Sequence, residues 1–248
     1  MSGKFINWNN CLSENTAETL YKTYVIDQRP LKWQHRGLGR FVFDLTHTNH
    51  GKLVINDLIS RAGSPHYGRP HFVKNVSVWI QCFVPGGFLP LHREYVRSVS
   101  TVYLNKELWS DTKSGFMEWH EETDIAKLYD GEVRKSLPRY NCGNYYVNPD
   151  FDADEKIFNP WHRVHRNNAN YNRYSLQIFE TTHQNTDTTE IQDNMKMITE
   201  GNLQAVGWDK ALLNYPEDHC IFDYSAWHPE IVSTWAKENA EIIESMTI

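Results

Sequence analysis

His92 and Glu94 stand two residues apart, and a third candidate ligand, His162, lies far downstream. On a β-strand, residues i and i+2 point to the same side. His92 and Glu94 can therefore aim at one ion while Arg93 faces away. Two histidines and one carboxylate on one face of a metal hold non-haem Fe(II) and leave three positions open for water, O2 and a bidentate organic acid. A closed structural zinc site wants four ligands, usually including thiolates. Arg173 follows His162 across the polar turn 167–172, and Ser175 shares its strand face. Two antiparallel strands would bring His162 and Arg173 near each other. A guanidinium binds a carboxylate through two parallel charge-assisted hydrogen bonds, and the Ser175 hydroxyl can donate another. A single H-x-E is frequent by chance in a chain with 12 histidines. His120-Glu121-Glu122 is a look-alike that reads as a solvated polar stretch. His47, His50 and His71 read as ordinary loop or core histidines. The weight of His92 comes from its surroundings.

Those surroundings are mostly strand. Val76, Val78, Ile80 and Cys82 alternate with Ser77, Trp79, Gln81 and Phe83, a period of two, and Pro85-Gly86-Gly87 ends the run as a turn. The β-branched stretch 96–104 alternates again. Short strands are expected at 116–120 and 145–147, and two more at 161–166 and 173–180 on either side of the polar turn. The polar stretch 124–139 reads as a helix or an insertion, and 37–75 as mixed and loop-rich. Asn15 and Glu18 stand at capping-box spacing, and Leu20, Tyr21 and Tyr24 share one helical face, which predicts a helix over 15–26. Pro229 at a first helical position, followed by Ile231, Trp235, Ile242, Ile243 and Met246, predicts a C-terminal helix. Strands in the middle with helices at both ends suit helices packed on a sandwich rather than a βαβ fold.

Four ordered segments resemble the Fe(II)/2-oxoglutarate-dependent oxygenases, in particular the prolyl-hydroxylase-like branch. Phe83-Val84-Pro85-Gly86-Gly87 is similar to the family's aromatic-x-Pro-Gly-Gly turn, and Leu91-His92-Arg93-Glu94 to its H-x-D/E motif. Val102-Tyr103-Leu104-Asn105, with Trp109 and Ser114-Gly115, resembles the YLN…W…GG segment. Asn159-Pro160-Trp161-His162-Arg163-Val164, followed by Asn172-Arg173-Tyr174-Ser175-Leu176, resembles the NP-H-x-V…RYS pair of strands. The likeness spans roughly 76–180. It implies a double-stranded β-helix, a cupin-like jelly roll, with iron at its open end. It further implies Fe(II) on His92, Glu94 and His162, 2-oxoglutarate as co-substrate with Arg173 on its far carboxylate and Ser175 or Tyr103 assisting, and O2. No catalytic residue is expected beyond the metal ligands. Three positions depart from the pattern. Glu94 stands where Asp is commoner, Phe83 where relatives have Tyr, and Gly115 is alone where two glycines are usual.

The 248 residues suit one mainly β domain with its core at about 76–180, flanked by helical and loop segments over 1–75 and 181–248. A net charge of −6 argues against a nucleic-acid surface. No run of apolar residues is long enough to span a membrane, and the N-terminus lacks an apolar h-region. Cys11, Cys82, Cys142 and Cys220 form no CxxC pair and read as free thiols in a reducing cytoplasm. The expected function is hydroxylation of an unactivated C–H bond in a peptidyl side chain. The alternative is hydroxylation or desaturation of a free amino acid or another small metabolite, with Arg69, His71, Arg93 and Arg97 as candidate anchors or as solvated surface groups. The rival class is a non-catalytic jelly-roll binding module. The segments outside 76–180 are expected to shape the substrate pocket, and nothing in the sequence sets the oligomeric state.

Overall fold

The computed structural model describes residues 4–27, 33–35, 39–69, 72–73, 76–92, 96–110, 113–121, 131–147, 160–180 and 237–247. Among these residues, eleven strands make two antiparallel sheets. They are β1 (Lys4–Asn9), β2 (Gln34–His35), β3 (Arg40–Asp44), β4 (Val76–Phe83), β5 (Leu89–His92), β6 (Ser98–Tyr103), β7 (Met117–His120), β8 (Val133–Ser136), β9 (Cys142–Val147), β10 (His162–Val164) and β11 (Arg173–Glu180). The larger sheet runs β1-β9-β6-β11-β4-β3-β2 and the smaller β5-β10-β7-β8. This is a double-stranded β-helix. Helices α1 (Glu14–Leu20), α2 (Asn49–Ser60) and α3 (Ala240–Thr247) accompany it. Among the described residues, no helix is long and apolar enough to cross a membrane.

The period-2 pattern produces two cores. Val78, Ile80 and Cys82 of β4, Val102 of β6 and Leu176 and Ile178 of β11 face outward from the larger sheet and pack against Ala17, Leu20, Val54 and Leu58 of α1 and α2. Ile242, Ile243 and Met246 of α3 join the same layer. The alternate residues Phe83, Val99, Tyr146 and Phe179 meet Leu89, Met117, Trp119 and Val164 between the sheets. Strand β11 is buried along its whole length because both of its faces are covered.

The N-terminal helix is present but begins differently from the expectation. Ser13, not Asn15, is the N-cap, its hydroxyl accepting from the Thr16 N–H. After Leu20 the chain widens into a π-helical turn over Tyr21–Ile26, where the Asp27 N–H donates to Lys22 O at 2.8 Å. Residues 37–75, expected to be loop-rich, contain β3 and the 12-residue α2, and residues 4–9, unassigned from the sequence, form β1. The stretch 124–139 holds β8. The C-terminal helix is described only over α3, and Pro229, Ile231 and Trp235 lie outside the described residues.

The loop after α2 is tied to the sheet by two buried groups. Glu180 takes Arg69 Nη2 at 2.5 Å and the Ser98 hydroxyl at 2.7 Å, with Arg97 Nε at 3.9 Å. Two of the three arginines read as anchors or surface groups, Arg69 and Arg97, are thus engaged with a buried carboxylate. His66 is fully buried, stacks on Phe72 at 4.1 Å and meets the Ser100 hydroxyl at 3.0 Å through Nε2. Burial, with Arg69 nearby, holds its pKa down to about 3 from the ordinary 6.5. At neutral pH both folded and unfolded chains carry it neutral. As pH falls below 6.5, the unfolded chain takes up the proton first, so stability is lost down to about pH 3. The slope from this residue approaches about 1.4 kcal/mol per pH unit. Urea unfolding of wild type and His66→Leu from pH 7 to 3 is expected to shift in favour of the leucine variant as pH falls.

Candidate metal and organic-acid site

Strand β10 sits between β5 and β7. The backbone of His162 lies directly across from His92 on one side and from Trp119 on the other. The His162 side chain is buried between the sheets, stacked on the Trp119 indole at 4.2 Å with 20° between the planes. Its Nδ1 lies 2.9 Å from Pro160 O. A carbonyl only accepts, so Nδ1 carries the proton, and in the neutral ring Nε2 keeps the lone pair. That is the arrangement of a metal-binding imidazole whose second nitrogen is held by the backbone. The structure therefore brings the two histidine positions together in register. Glu94 and the side chain of His92 lie outside the described residues.

Arg173 begins β11, opposite Phe83 of β4. Its side chain is completely buried. The guanidinium carbon lies 5.1 Å from the Phe83 ring centre and 5.0 Å from that of Tyr103, so the two ring faces offset part of the cost of desolvating the cation. Nη1 reaches the Ser175 hydroxyl at 3.5 Å, while Nε and Nη2 have no hydrogen-bond partner. Burial pulls its pKa below the ordinary guanidinium value, yet an arginine stays charged at neutral pH. Phe83, noted in the sequence for lacking a hydroxyl, supplies a ring face. Tyr103 donates its own hydroxyl to Ser136 O at 3.2 Å. A buried cation with two unpartnered donor nitrogens on one edge suits a carboxylate, which would accept from both.

Three side chains whose roles the sequence did not disclose position this arginine. Asn105 accepts from the Tyr174 N–H at 2.6 Å and donates to Asn172 O at 2.9 Å, so it holds the start of β11. Asn167 donates to Phe83 O at 3.1 Å and Tyr171 O at 2.9 Å, while its backbone pairs with Gly86 and Gly87. The turn after β10 is thereby docked on the Pro-Gly-Gly turn. Trp109 donates to Ser114 O and packs edge-on against Tyr171. The signals in the sequence were the YLN…W…GG likeness for Asn105 and Trp109 and the polar turn for Asn167. Between the sheets the lining is polar for a buried surface. Gln81, Thr101, Asn144, Ser175 and Gln177 are all buried, and Thr101 donates to Gln177 Oε1 at 3.0 Å. Asn144 Oδ1 and Trp119 Nε1 have no partner.

His120, read as part of a solvated stretch, is fully buried. It meets Glu118 Oε1 at 2.9 Å, because the outer face of β7 is covered. Glu122 lies outside the described residues. Among the described residues no cluster of three or more His, Cys, Asp and Glu could hold a metal. Arg93 and His71 lie outside the described residues.

No protein-family model and no curated protein matches the sequence. Solved structures do match. The 2-oxoglutarate-dependent carbocyclase SnoK from nogalamycin biosynthesis aligns with TM-score 0.50 and 9% identity over 77% of this chain and 87% of its own. EctD from S. alaskensis, solved with 2-oxoglutarate and 5-hydroxyectoine, aligns with TM-score 0.50 and 10% identity over 73% of each chain. A Pseudomonas putida prolyl-4-hydroxylase aligns with TM-score 0.46 and 15% identity, over 73% of this chain and 94% of its own.

Gly115 lies against the arginine pocket. Its φ is +67°, and a Cβ there would stand 2.9 Å from Trp109 Cζ2 and 3.5 Å from Arg173 Cδ. Left-handed backbone costs an L-residue about 1–2 kcal/mol. Gly115→Ala is therefore expected to lower stability by at least about that amount in thermal or urea unfolding. With its two sheets and their strand order, this chain has the double-stranded β-helix fold of the Fe(II)/2-oxoglutarate-dependent oxygenases.

Proposed function

We propose that this protein is an Fe(II)- and 2-oxoglutarate-dependent dioxygenase that hydroxylates an unactivated C–H bond. The observation that carries this reading is Arg173, fully buried with Nε and Nη2 unpartnered, on the strand that follows a buried histidine set directly across from His92. A surface arginine at a hairpin would have neither property. In this reading His92, Glu94 and His162 hold the metal, and Arg173 takes the 5-carboxylate of 2-oxoglutarate with Ser175 beside it. Bound Fe(II), 2-oxoglutarate and O2 would supply the oxidising chemistry, with succinate and CO2 as co-products. The chain's own residues bind and orient. His162 Nε2 is presented with its lone pair by the Pro160 carbonyl. Trp119 fixes the ring plane by stacking. The Phe83 and Tyr103 rings keep the guanidinium out of water, which strengthens its hold on a carboxylate.

Two substrate readings follow. A peptidyl side chain is the reading of the sequence resemblance. A small polar molecule is favoured by the buried polar lining, with unpartnered Asn144 Oδ1 and Trp119 Nε1 deep between the sheets. It also accords with the 5-hydroxyectoine that the EctD structure contains. O2-dependent succinate formation with added Fe(II) and 2-oxoglutarate tests the class. Its absence, together with no 2-oxoglutarate binding, would assign the protein to the binding modules instead.

Arg173→Ala is expected to keep the metal and weaken 2-oxoglutarate by roughly tenfold or more, since a hydrogen bond to a charged group contributes about 1.5–3 kcal/mol. Arg173→Lys recovers only part, because an ammonium lacks the planar fork. Anaerobic titration of the Fe(II) protein, followed by its charge-transfer absorbance, reads both. An unchanged curve in a folded alanine variant would remove the anchor role.

A further inference from the structure

The outer face of the smaller sheet carries a buried ion cluster that the oxygenase reading does not use. Glu118 of β7 is almost fully buried. Its Oε1 accepts from Arg163 Nε at 2.7 Å and meets His120 Nε2 at 2.9 Å, and its Oε2 meets His165 Nε2 at 2.9 Å. Burial alone would raise the pKa of this carboxyl, but its His120, His165 and Arg163 partners outweigh burial and hold it far below the ordinary range. Glu118 and Arg163 are direct cross-strand partners.

The position of this pair matters because β10 is weakly specified otherwise. It is three residues long. On the β5 side its ladder is irregular, pairing His162 with His92 but Val164 with Leu89. On the β7 side the ladder is regular, running Trp119, Glu118, Met117 against His162, Arg163, Val164. A slip of one residue moves every side chain of a strand to the other face. In the segment His162-Arg163-Val164-His165, such a slip would turn Arg163 inward between the sheets and His162 away from Trp119.

We propose that Glu118 is a positioning residue: by pairing with Arg163 on the outer face it locks the register of β10 and thereby keeps His162 inward on Trp119. Buried ion pairs add little net stability relative to apolar side chains, and setting register is their best-attested use. The metal consequence rests on the reading of His162 as a ligand; the register consequence does not.

The test replaces the pair by apolar side chains, Glu118→Met with Arg163→Met, so that neither member of the ion pair is left without the other. Two readouts are taken on folded protein well below its melting temperature. The first needs no metal: the His162 ring protons in histidine-labelled protein, which the Trp119 ring shifts upfield. The expected result is loss of that ring-current shift, or its splitting into several environments, in the double variant. The second is Co(II) affinity, expected to fall about 10–100-fold, as when other outer partners of a metal ligand are removed. Unmoved His162 resonances in the folded double variant would overturn the proposal. Should the double variant not fold, Glu118→Gln decides. It leaves Arg163 without its counter-charge, so its melting temperature falls; below that temperature the same resonances are expected to broaden or shift, and an unchanged spectrum overturns the proposal. Wild type and His162→Ala are titrated alongside. If the resonances move as expected but wild type binds no Co(II), or His162→Ala binds it equally well, then the register lock stands and the metal reading has failed.

Discussion

A fully buried guanidinium with two unpartnered nitrogens is the constraint on which the rest of this site depends. Leaving a cation without partners in a low-dielectric interior is costly, so its surroundings must hold it rigidly. Phe83 and Tyr103 present ring faces to it. Gly115 lets the chain pass within van der Waals distance of its stem. Asn105 pins the backbone on its C-terminal side, and Asn167 pins the turn before it to the Pro-Gly-Gly corner. An incoming carboxylate would relieve a deficit that the folded protein already carries. Its binding energy would then go into pairing rather than into ordering a loose side chain.

The same logic divides the two faces of the smaller sheet. Inward, β7 and β10 present Trp119 and His162, a stacked aromatic pair of low polarity. Outward, they present the ion pair of Glu118 and Arg163, with His120 and, just past β10, His165 on the same carboxylate. Alternation along each strand separates an ionic layer from an interior that must stay dry, although sequence neighbours contribute to both.

The central strands were legible because apolar residues alternate strongly from Val76 to Phe83 and recur at Tyr174, Leu176 and Ile178 of β11. The positions of His162 and Arg173 followed from that alternation and from the polar turn between them. Helix α2 was hidden. Its segment contains Gly51, which no helix propensity recommends, yet a Cβ there would stand 1.9 Å from Leu45 O. Strand β3 is five residues long and sits among scattered histidines, so its pairing with β4 is a tertiary fact. His120 was misread for a related reason: alternation says which residues share a face, not whether that face is covered. The roles of Asn105 and Asn167 depend on backbone groups many residues away, which no local pattern reports.

The thiol of Cys82 carries one more consequence. It lies on β4 between Gln81 and Phe83, pointing to the helix-covered layer rather than to the interior. Burial pushes its pKa up to about 12, so at neutral pH it is a neutral thiol and a poor ligand. Thiolates favour Cu(I) and Zn, whereas imidazole and carboxylate accept Fe(II) and its first-row neighbours. Strand alternation at one residue thus removes the softest donor of β4 from the chamber. In the reading proposed above, a bound metal would then meet imidazole and carboxylate ligands without competition from this thiol.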